Sequence, residues 1–354
     1  MTRFAELTTT GIGGEIAHFV EATSREELIE AAREAFANES EEAPVLVLGG
    51  GSNLLVSDDP YAGTVIRTAT LGIEFGEPDA EGRVLVVAEA GEPWAALVDA
   101  TVAKGLSGIE ALAGIPGATG AAPVQNIGAY GQELSSSLRR IEFLDAETGE
   151  VSWLDAAELK LAYRTSRLKR GELRGAVLRV ELALDAARED GLGAPIAFPQ
   201  LAKALGAEPG DRRSVQEVRD AVVSLRASKG MVLDPDDLDT RSSGSFFTNP
   251  VISTEAAREL PAEAPKFPAG ETEEGVKLTK LSAAWLIEHS GVPKGYQLPN
   301  SRASISTKHT LAITNRGGAA AEEIAELARY VQARVRSEFG VDLRPEPVVI
   351  GLDI

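Results

Sequence analysis

The sequence predicts an α+β fold, because segments with helical and with strand periodicity are interspersed along 354 residues without an internal repeat. Residues 24–37 place apolar side chains at helical spacing behind a capping box of Ser24 and Glu27, which predicts an amphipathic helix. Residues 177–184 alternate with period two and predict a strand. A chain of this length holds two or three domains with a sizeable core.

The remaining elements are predicted from caps and chain breakers. Pro93 is expected at the first position of a helix that Gly105 closes, and Gly340 is expected to end the last long helix. The composition turns polar and proline-rich from residue 234, which indicates a domain boundary near residue 226. Further strands are predicted at 45–48, 83–88 and 348–350, and further helices at 214–229, 281–290 and 320–339.

Charge and composition exclude several classes of protein. The net charge of −19 argues against a nucleic acid or an anionic membrane as the main partner, since either would favour a basic face. No apolar run approaches the ~18 residues of a membrane span, and the first residues do not resemble a signal peptide, so a cytoplasmic protein is expected. There is no cysteine, and the histidines are His18, His289 and His309, so neither a disulfide nor a metal site is expected. We expect His289 at a helix terminus and His309 at the surface, and assign neither a function.

Residues 114–131 are the most informative segment, because five glycines and two prolines exclude an ordinary helix or strand. Glycine permits positive φ and brings backbone N–H groups within reach of anionic oxygens, so a dinucleotide pyrophosphate is the expected ligand. On composition alone, a long connecting loop is an equally good interpretation.

A second glycine-rich turn, Gly-Gly-Gly-Ser-Asn at 49–53, directly follows a predicted strand. Its glycines are contiguous and no Gly-Lys-Ser/Thr follows, which disfavours both a Rossmann fingerprint and a P-loop. A nucleotide ligand is still compatible with the acidic chain, because phosphates need only a few local cations. Such cations are concentrated at Arg164, Arg167, Lys169 and Arg170.

The order of the residues in 114–131, with GIPG at the start and APVQNIGAYG at the end, resembles the flavin-binding segment of the UDP-N-acetylenolpyruvoylglucosamine reductases, the MurB family. The turn at 49–53 resembles a second flavin-contacting turn of that family. Three more of its signatures are matched in order, at 162–166, 244–250 and 343–347. The resemblance therefore covers nearly the whole chain.

The resemblance implies an oxidoreductase of peptidoglycan precursor synthesis. Such an enzyme uses NADPH and FAD to reduce the enolpyruvyl group of UDP-N-acetylglucosamine enolpyruvate to UDP-N-acetylmuramate. FAD is expected to be bound noncovalently, because there is no cysteine and His18 has no flanking attachment motif. The protein is expected to be a monomer.

The resemblance also implies a domain organisation. It predicts a two-part FAD-binding domain of the vanillyl-alcohol-oxidase (PCMH) type and a separate α+β substrate-binding domain. The first FAD-binding part is expected at residues 1–70, with 342–354 returning to it, and the second at 71–225. The substrate-binding domain is expected at 226–341.

Three side chains are expected, by resemblance, to carry the chemistry. Hydride addition to the terminal enol carbon pushes negative charge onto the conjugated carboxylate, and preorganised donors must meet that charge. Arg164 and a protonated Glu346 are expected to stabilise this enediolate, while Ser245 protonates the α-carbon. Without the resemblance, Arg164 would be interpreted as a solvated or ion-paired arginine, Ser245 as a turn residue and Glu346 as an exposed edge carboxylate.

The remaining expected contacts are also carried over by resemblance. Those to FAD involve Gly49, Gly50, Gly51, Ser52, Asn53, Leu54, Gly114, Ile115, Pro116, Gly117, Gly120, Gln125, Asn126, Gly128, Ala129 and Tyr130. Those to the UDP-sugar involve Tyr163, Lys229, Asn249 and Gln297, with Lys229 as a cation for the pyrophosphate.

One segment departs from the family pattern. Residues 196–201 resemble a lid loop of the longer, type I form of the family, in which a tyrosine closes over the substrate phosphate, but Phe198 stands in its place. The hydroxyl donor is missing, so closure of this lid must depend on apolar contact or on another residue.

The sequence is also compatible with two other functions. An FAD oxidase could share the cofactor fold, but its flavin is often tethered to His or Cys, and this chain has no cysteine. A noncatalytic nucleotide-binding protein could also share it. Such a protein would be expected to have lost Arg164, Ser245 or Glu346, and all three are present.

Overall fold

The computed structural model describes residues 1–186, 191–272 and 274–354. The chain divides into two compact units, each assembled from separate stretches of sequence. The first unit comprises Met1–Thr2, Ile16–Gly51 and Tyr61–Val232, and the second comprises Arg3–Glu15, Ser52–Pro60 and Leu233–Ile354.

Within the described residues the α-helices are α1 (Arg25–Ala37), α2 (Trp94–Ala103), α3 (Pro199–Ala204), α4 (Val215–Ala227), α5 (Thr254–Arg258), α6 (Ala283–His289) and α7 (Ala321–Phe339). The β-strands of the same residues are β1 (Ile16–Ala22), β2 (Val45–Leu48), β3 (Leu54–Val56), β4 (Tyr61–Thr68), β5 (Ile73–Phe75), β6 (Arg83–Glu89), β7 (Leu106–Ser107), β8 (Gly128–Ala129), β9 (Gln132–Glu133), β10 (Leu138–Asp145), β11 (Val151–Asp155), β12 (Gly175–Ala186), β13 (Val251–Ser253), β14 (Lys266–Glu271), β15 (Lys277–Leu281), β16 (Ala303–Ile305), β17 (Ile313–Asn315) and β18 (Val348–Ile350). In this described part of the chain, no helix has both the length and the apolar character needed to cross a membrane.

The first unit contains a parallel and an antiparallel sheet. Strands β1, β4 and β2 pair in parallel in that order, while the antiparallel sheet has the order β11-β10-β12-β6-β5, with β7 on the end of β12. The apolar face of α1 buries Leu28 against Ile66 and Leu178, and burial of one such leucine contributes about 2 kcal/mol. Helix α4 buries Val218 and Val222 in the larger core and packs on the turn Glu110–Leu112, which leads into the glycine-rich segment.

The second unit combines small sheets with the long helix α7. Strands β13, β15 and β14 form an antiparallel sheet, β16 pairs with β17, and β18 pairs in parallel with β3. Ile324, Leu327 and Val331 of α7 are fully buried together with Leu286 of α6, as the helical spacing of the sequence requires.

The predicted α+β class is confirmed, and so are the predicted helices and strands, with small changes of boundary. The Ser24 hydroxyl accepts the Glu27 N–H at 3.2 Å at the start of α1, and Gly340 ends α7 with φ of 66°. The position expected for Pro93 is wrong by one residue. With ψ of 127° Pro93 is extended, and its carbonyl accepts the Leu97 N–H, so it precedes α2 as the cap residue.

The end of the chain lies beside an early segment, because β18 pairs with β3 in the register Val348 to Leu54. The second unit therefore contains both the region after residue 233 and a short early stretch. The division into three domains at residues 70, 225 and 341 stays a prediction.

Candidate active site

The two glycine-rich segments of the first unit lie against each other. A Cβ atom placed on Gly50 would be 2.7 Å from the Cα of Gly117, and one on Gly49 would be 3.2 Å from the Cβ of Ala118. A Cβ atom placed on Gly120 would likewise lie only 2.6 Å from the Cβ of Ala90. Only glycine allows this approach of backbone to backbone. The segments expected to share one cofactor are thus adjacent within the unit.

A cavity of about 250 Å³ opens beside these segments, within the first unit. Its walls are glycine backbone and mostly apolar side chains, including Gly49, Gly120, Val45, Val47 and Val124. Apolar walls suit a ligand with a flat apolar part, and the adjacent glycine backbone allows close approach of an anionic part.

The end of the glycine-rich segment is held in an unusual backbone conformation. Asn126 and Tyr130 both have φ of 47°, in the left-handed region that few residues other than glycine adopt. The Asn126 side chain is buried, accepts the Ser135 N–H at 2.9 Å and donates to the Ala162 carbonyl at 3.2 Å. These hydrogen bonds indicate that Asn126 shapes the loop, in addition to any contact with a cofactor.

The basic motif at 162–166 docks on that loop. Arg164, itself at φ of 54°, donates from its guanidinium to the Gly128 carbonyl at 2.6 Å and to the Asn126 carbonyl at 3.4 Å. The Ser166 hydroxyl donates to the Val124 carbonyl at 2.6 Å. The arginine expected from sequence to be catalytic is therefore fixed directly to the segment expected to bind the cofactor.

Arg226, at the end of α4, is a residue that the sequence interpretation missed. Its Cδ would lie 3.5 Å from a Cβ atom on Gly114, and its Nη2 donates to the Met231 carbonyl at 3.0 Å. Its buried Nε has no hydrogen-bond partner among the described residues. Burial, helped by the charge of Arg164, lowers the pKa of Arg226 to about 10. A buried, incompletely paired cation of this kind favours an anionic ligand.

The segment around Phe198 meets the same loop. The Phe198 ring contacts Tyr130 edge-on with ring centroids 5.7 Å apart. Lys229 lies 5.4 Å above the Tyr130 ring and donates to the Gln200 side chain at 3.0 Å. Tyr130 is half-buried, and burial raises its pKa, so it is present as the neutral phenol. The Tyr130 phenol can therefore donate a hydrogen bond, and its ring contacts that of Phe198, which has no hydroxyl.

In the second unit, the chain around Ser245 is anchored by its neighbours. Gly244 has φ of 80°, which allows the turn that precedes Ser245. Phe246 and Phe247 follow and are each 1% exposed in the core of this unit. Ser245 is half-buried between the turn and these anchors, so its position is set by packing.

The segment of Glu346 pairs with that of Ser245. The Glu346 N–H donates to the Phe246 carbonyl at 2.8 Å, and the Thr248 N–H donates to the Arg344 carbonyl at 3.1 Å. Asn53, from the predicted flavin turn, donates its side-chain amide to the Glu346 carbonyl at 3.4 Å. The second unit thus brings together Ser245, Glu346 and Asn53, whereas Arg164 belongs to the first unit.

Two expected substrate contacts have hydrogen bonds of their own. The Oδ1 of Asn249 accepts the Ala283 N–H at 3.0 Å at the start of α6, and the Gln297 side-chain amide donates to the Ser301 carbonyl. Of the other two, Tyr163 is exposed beside the Arg164 guanidinium and Lys229 lies near Tyr130. Lys229 and Tyr163 belong to the first unit, and Asn249 and Gln297 to the second.

Of the residues 49–54 that were predicted to contact the flavin, Gly49, Gly50 and Gly51 belong to the first unit and Ser52, Asn53 and Leu54 to the second. Ile115, Ala129 and Tyr130 pack partly buried on the larger core of the first unit.

His309 makes a contact that was not predicted from the sequence. It is half-buried, and its Nε2 lies 3.5 Å from the Ser245 hydroxyl oxygen. His289 is confirmed at a helix terminus, where it closes α6 and stacks on Trp285 with ring centroids 3.8 Å apart.

A comparison with known protein families indicates the class of this protein. Residues 16–155 match the family described as "FAD binding domain", and both glycine-rich segments fall within that match. Closely packed glycine backbone, an adjacent apolar cavity and nearby guanidinium groups suit a flavin dinucleotide. The fold and this site therefore define an FAD-binding protein.

Residues 235–350 match the family described as "UDP-N-acetylenolpyruvoylglucosamine reductase, C-terminal domain". The chain belongs to the UDP-N-acetylenolpyruvoylglucosamine reductase family. It is 50% identical to the reductase of that name from Leifsonia xyli subsp. xyli, with 98% of each chain covered. It is 49% identical to the one from Nocardia farcinica, with 99% of this chain and 89% of the relative covered.

A solved structure has a similar fold. The crystal structure of UDP-N-acetylenolpyruvylglucosamine reductase (MurB) from Thermus caldophilus matches with a TM-score of 0.63 and 28% identity, over 99% of this chain and 97% of that one. The family predicted from the sequence motifs is confirmed, and so is the prediction of an FAD-dependent oxidoreductase.

Proposed function

We propose that the protein reduces the enolpyruvyl group of UDP-N-acetylglucosamine enolpyruvate to give UDP-N-acetylmuramate, with NADPH as reductant and noncovalently bound FAD. The observation that carries this proposal is the pairing of the Ser245 segment with the Glu346 segment in one unit. It gives a hydroxyl and a carboxyl group neighbouring positions, as a proton donor and a stabiliser of carboxylate charge require. The names of the relatives support the same reaction.

The residues of the first unit fit FAD. Gly49, Gly50 and Gly117 leave little or no room for a side chain, and their backbone N–H groups would hold the pyrophosphate. Gly120 would instead shape the loop, because its N–H donates to the Ala90 carbonyl at 2.8 Å. When bound, FAD would supply the redox chemistry, taking a hydride from NADPH and delivering it to the terminal enol carbon. No cysteine is available to tether the cofactor.

Side chains of this protein would then stabilise the negative charge that develops on the substrate and donate the proton that it needs. As hydride adds to the terminal carbon, the electrons of the double bond move onto the carboxylate and give an enediolate. Arg164 and a protonated Glu346 stabilise this charge by hydrogen bonds. The Ser245 Oγ–H bond then breaks as the new C–H bond forms at the α-carbon, which completes the reduction.

Basic groups of the first unit suit the phosphates and the carboxylate. Arg226 has a buried Nε without a partner in the described part of the chain, and the Lys229 ammonium lies above the Tyr130 ring. We assign the UDP-sugar to Tyr163, Lys229, Asn249 and Gln297, where the two amides use the hydrogen-bonding capacity that remains beside their internal bonds. We further propose that the enzyme works as a monomer in the cytoplasm.

The decisive experiment is anaerobic. The purified protein is expected to show flavin absorbance, to lose it when NADPH is added, and to regain it only when the enolpyruvyl sugar follows. Acid precipitation is expected to leave the flavin in the supernatant. An oxidase of the same cofactor fold would instead be reduced by an alcohol or sugar and reoxidised by oxygen, and a noncatalytic protein would keep its flavin oxidised throughout.

A further inference from the structure

The histidine that the sequence placed at the surface faces the proposed proton donor. The Nε2 of His309 lies 3.5 Å from the Oγ of Ser245, and both side chains are half-buried in the second unit. The two residues are 64 positions apart in the chain. Their contact therefore depends on the tertiary contacts that bring these two segments together.

Backbone hydrogen bonds hold the two segments together. The Phe246 N–H donates to the Leu311 carbonyl at 2.7 Å, one residue after Ser245 and two after His309. The turn that carries His309 is itself closed, because the Ser306 hydroxyl accepts the His309 N–H at 3.2 Å and the Ala312 N–H donates to the His309 carbonyl at 3.1 Å. The imidazole is thus presented by a rigid turn.

The neighbours of His309 in this turn are directed to carboxylates of the same unit. These contacts join Thr307 to Asp239, Lys308 to Asp237 and Thr310 to Glu288. These hydrogen bonds fix the turn on both sides of His309. They also mean that the three carboxylates already accept hydrogen bonds from residues other than His309. Of the turn's side chains, it is His309 that lies against the Ser245 hydroxyl.

We propose that His309 is a positioning residue for Ser245 and donates its Nε2–H to the Ser245 Oγ, an inference that rests on the proposed function. An oxygen that accepts this hydrogen bond turns its own hydrogen elsewhere, toward the substrate. When that proton leaves for the α-carbon, the same Nε2–H stabilises the negative charge left on Oγ. A serine hydroxyl is a poor acid, so a donor to its conjugate base is what the step requires.

A double-mutant cycle tests this role in the holoenzyme. His309→Leu is expected to slow reoxidation of the reduced flavin by the enolpyruvyl sugar about tenfold, the effect of one lost hydrogen bond. Reduction by NADPH is expected to keep its normal rate. In the Ser245→Ala background the same substitution is expected to change reoxidation less than twofold, since there is no hydroxyl left to orient. A similar slowing in both backgrounds would overturn the inference.

Matched variants distinguish loss of the hydrogen bond between His309 and Ser245 from a change in the shape of the site. His309→Gln retains an amide donor and is expected to recover part of the rate, whereas His309→Asn is too short and is expected to resemble His309→Leu. If His309→Leu does not fold, the cycle is run with His309→Asn. His289→Leu, in the same unit but stacked on Trp285, is expected to reoxidise normally.

A spectroscopic experiment separates failure of this inference from failure of the proposed reaction. The chain has three histidines, so the ring nitrogens are assigned in ¹⁵N NMR spectra by substituting each in turn. His309 is expected to carry hydrogen on Nε2, and Ser245→Ala is expected to shift this signal while leaving His289 unchanged. A bare Nε2 that does not respond to Ser245→Ala would overturn the inference, whatever substrate the enzyme uses.

Discussion

The backbone N–H of Glu346 donates to the carbonyl of Phe246 at 2.8 Å, so the segment after Ser245 and the C-terminal Pro-Glu-Pro turn form one paired structure in the second unit. The pairing continues on the other side of Glu346, where the Val348 N–H donates to the Asn53 carbonyl at 3.0 Å. Three motifs that are far apart in sequence thus share a single set of backbone hydrogen bonds. These hydrogen bonds fix the backbone beside Ser245 and at Glu346.

Removing the Ser245 hydroxyl is expected to separate the two half-reactions. In Ser245→Ala, NADPH should still reduce the flavin at close to the normal rate, because that step needs no proton at the substrate α-carbon. Reoxidation by the enolpyruvyl sugar should slow by roughly 10²–10⁴, as is typical of lost general acid catalysis. Stopped-flow absorbance measures both steps. Reoxidation at the wild-type rate would mean that Ser245 is only a turn residue.

Replacing Arg164 by lysine is expected to damage the first unit's loop as well as the reaction. The forked guanidinium donates to the carbonyls of Gly128 and Asn126, and a single ammonium cannot reproduce that geometry. We expect flavin reoxidation at least tenfold slower and a higher KM for the enolpyruvyl sugar. Arg167→Lys is the matched control, because Arg167 pairs with Glu172 at 3.4 Å, outside the glycine-rich segment. Equal effects of the two changes would argue against a role for Arg164 in the site.

Sequence patterns predicted the parts of this protein that are locally encoded. Ser24 and Gly340 mark helix ends through their own chemistry, and both were found where predicted. The glycine-rich segments were recognised by their composition and residue order, and the structure shows why Gly50 and Gly117 must lack side chains where they meet. Helix ends and close backbone contacts restrict which residue type can occupy a position, so they can be predicted from the sequence.

Other features of the site depend on residues distant in sequence, so no local sequence pattern predicts them. His309 has no spacing that relates it to Ser245, and their contact arises only because the segments carrying Phe246 and Leu311 pair. Arg226 lies within the predicted helix 214–229, and no sequence pattern relates its side chain to the Gly114 loop that it contacts. Tertiary packing decides such contacts, so neither residue was predicted.

Replacing Arg226 by methionine is expected to weaken FAD binding without loss of apoprotein stability. Burial lowers the pKa of Arg226 to about 10, so the folded apoprotein bears the cost of a buried charge. Methionine removes that cost, and we expect an apoprotein Tm that is unchanged or higher. An anionic ligand loses a charged hydrogen bond of about 1.5–3 kcal/mol, which raises the Kd for FAD at least tenfold.

The measurements for this variant are calorimetric Tm of the apoprotein and titration with FAD. Arg219→Met, on the same helix, is the control, because Arg219 pairs with Asp99 and Asp220 at the surface. A lower Tm with unchanged FAD affinity would show that Arg226 is structural.

Restoring a hydroxyl at position 198 is expected to improve substrate binding. Phe198 is 40% exposed and touches the Tyr130 ring edge-on, so Phe198→Tyr adds its oxygen without disturbing the core. One added neutral hydrogen bond to phosphate should be worth about 0.5–1.5 kcal/mol, which lowers KM about two- to tenfold. Phe267→Tyr, another exposed phenylalanine, is the control. An unchanged or higher KM would mean that residues 196–201 do not close on the phosphate.

A buried carboxylate in the first unit is expected to make stability pH-dependent. Glu142 of β10 is 5% exposed and accepts hydrogen bonds from Arg179 at 2.7 Å and from Arg25 at 2.8 Å. Burial alone would raise the pKa of Glu142, but the hydrogen bonds and charges of the two arginines outweigh it and lower the pKa. Its contribution to folding is therefore complete above the ordinary glutamate pKa of about 4.3 and is lost as the pH falls through the lower folded value.

Glu142→Gln is accordingly expected to reduce the free energy of unfolding by about 2–4 kcal/mol at pH 7, because it leaves two arginines without their shared partner. The difference from the wild type should shrink as the pH falls below about 4, because the unfolded chain then binds a proton that the folded carboxylate, with its lowered pKa, still resists. Urea unfolding at pH 7 and pH 3.5 measures both quantities. Glu21→Gln is the control, because its pair with Arg67 is more than 40% exposed on both sides and should contribute less than about 1 kcal/mol. If the two variants lose the same stability, or if the loss in Glu142→Gln does not depend on pH, then the cluster of Arg25, Glu142 and Arg179 does not stabilise the folded state through its charge.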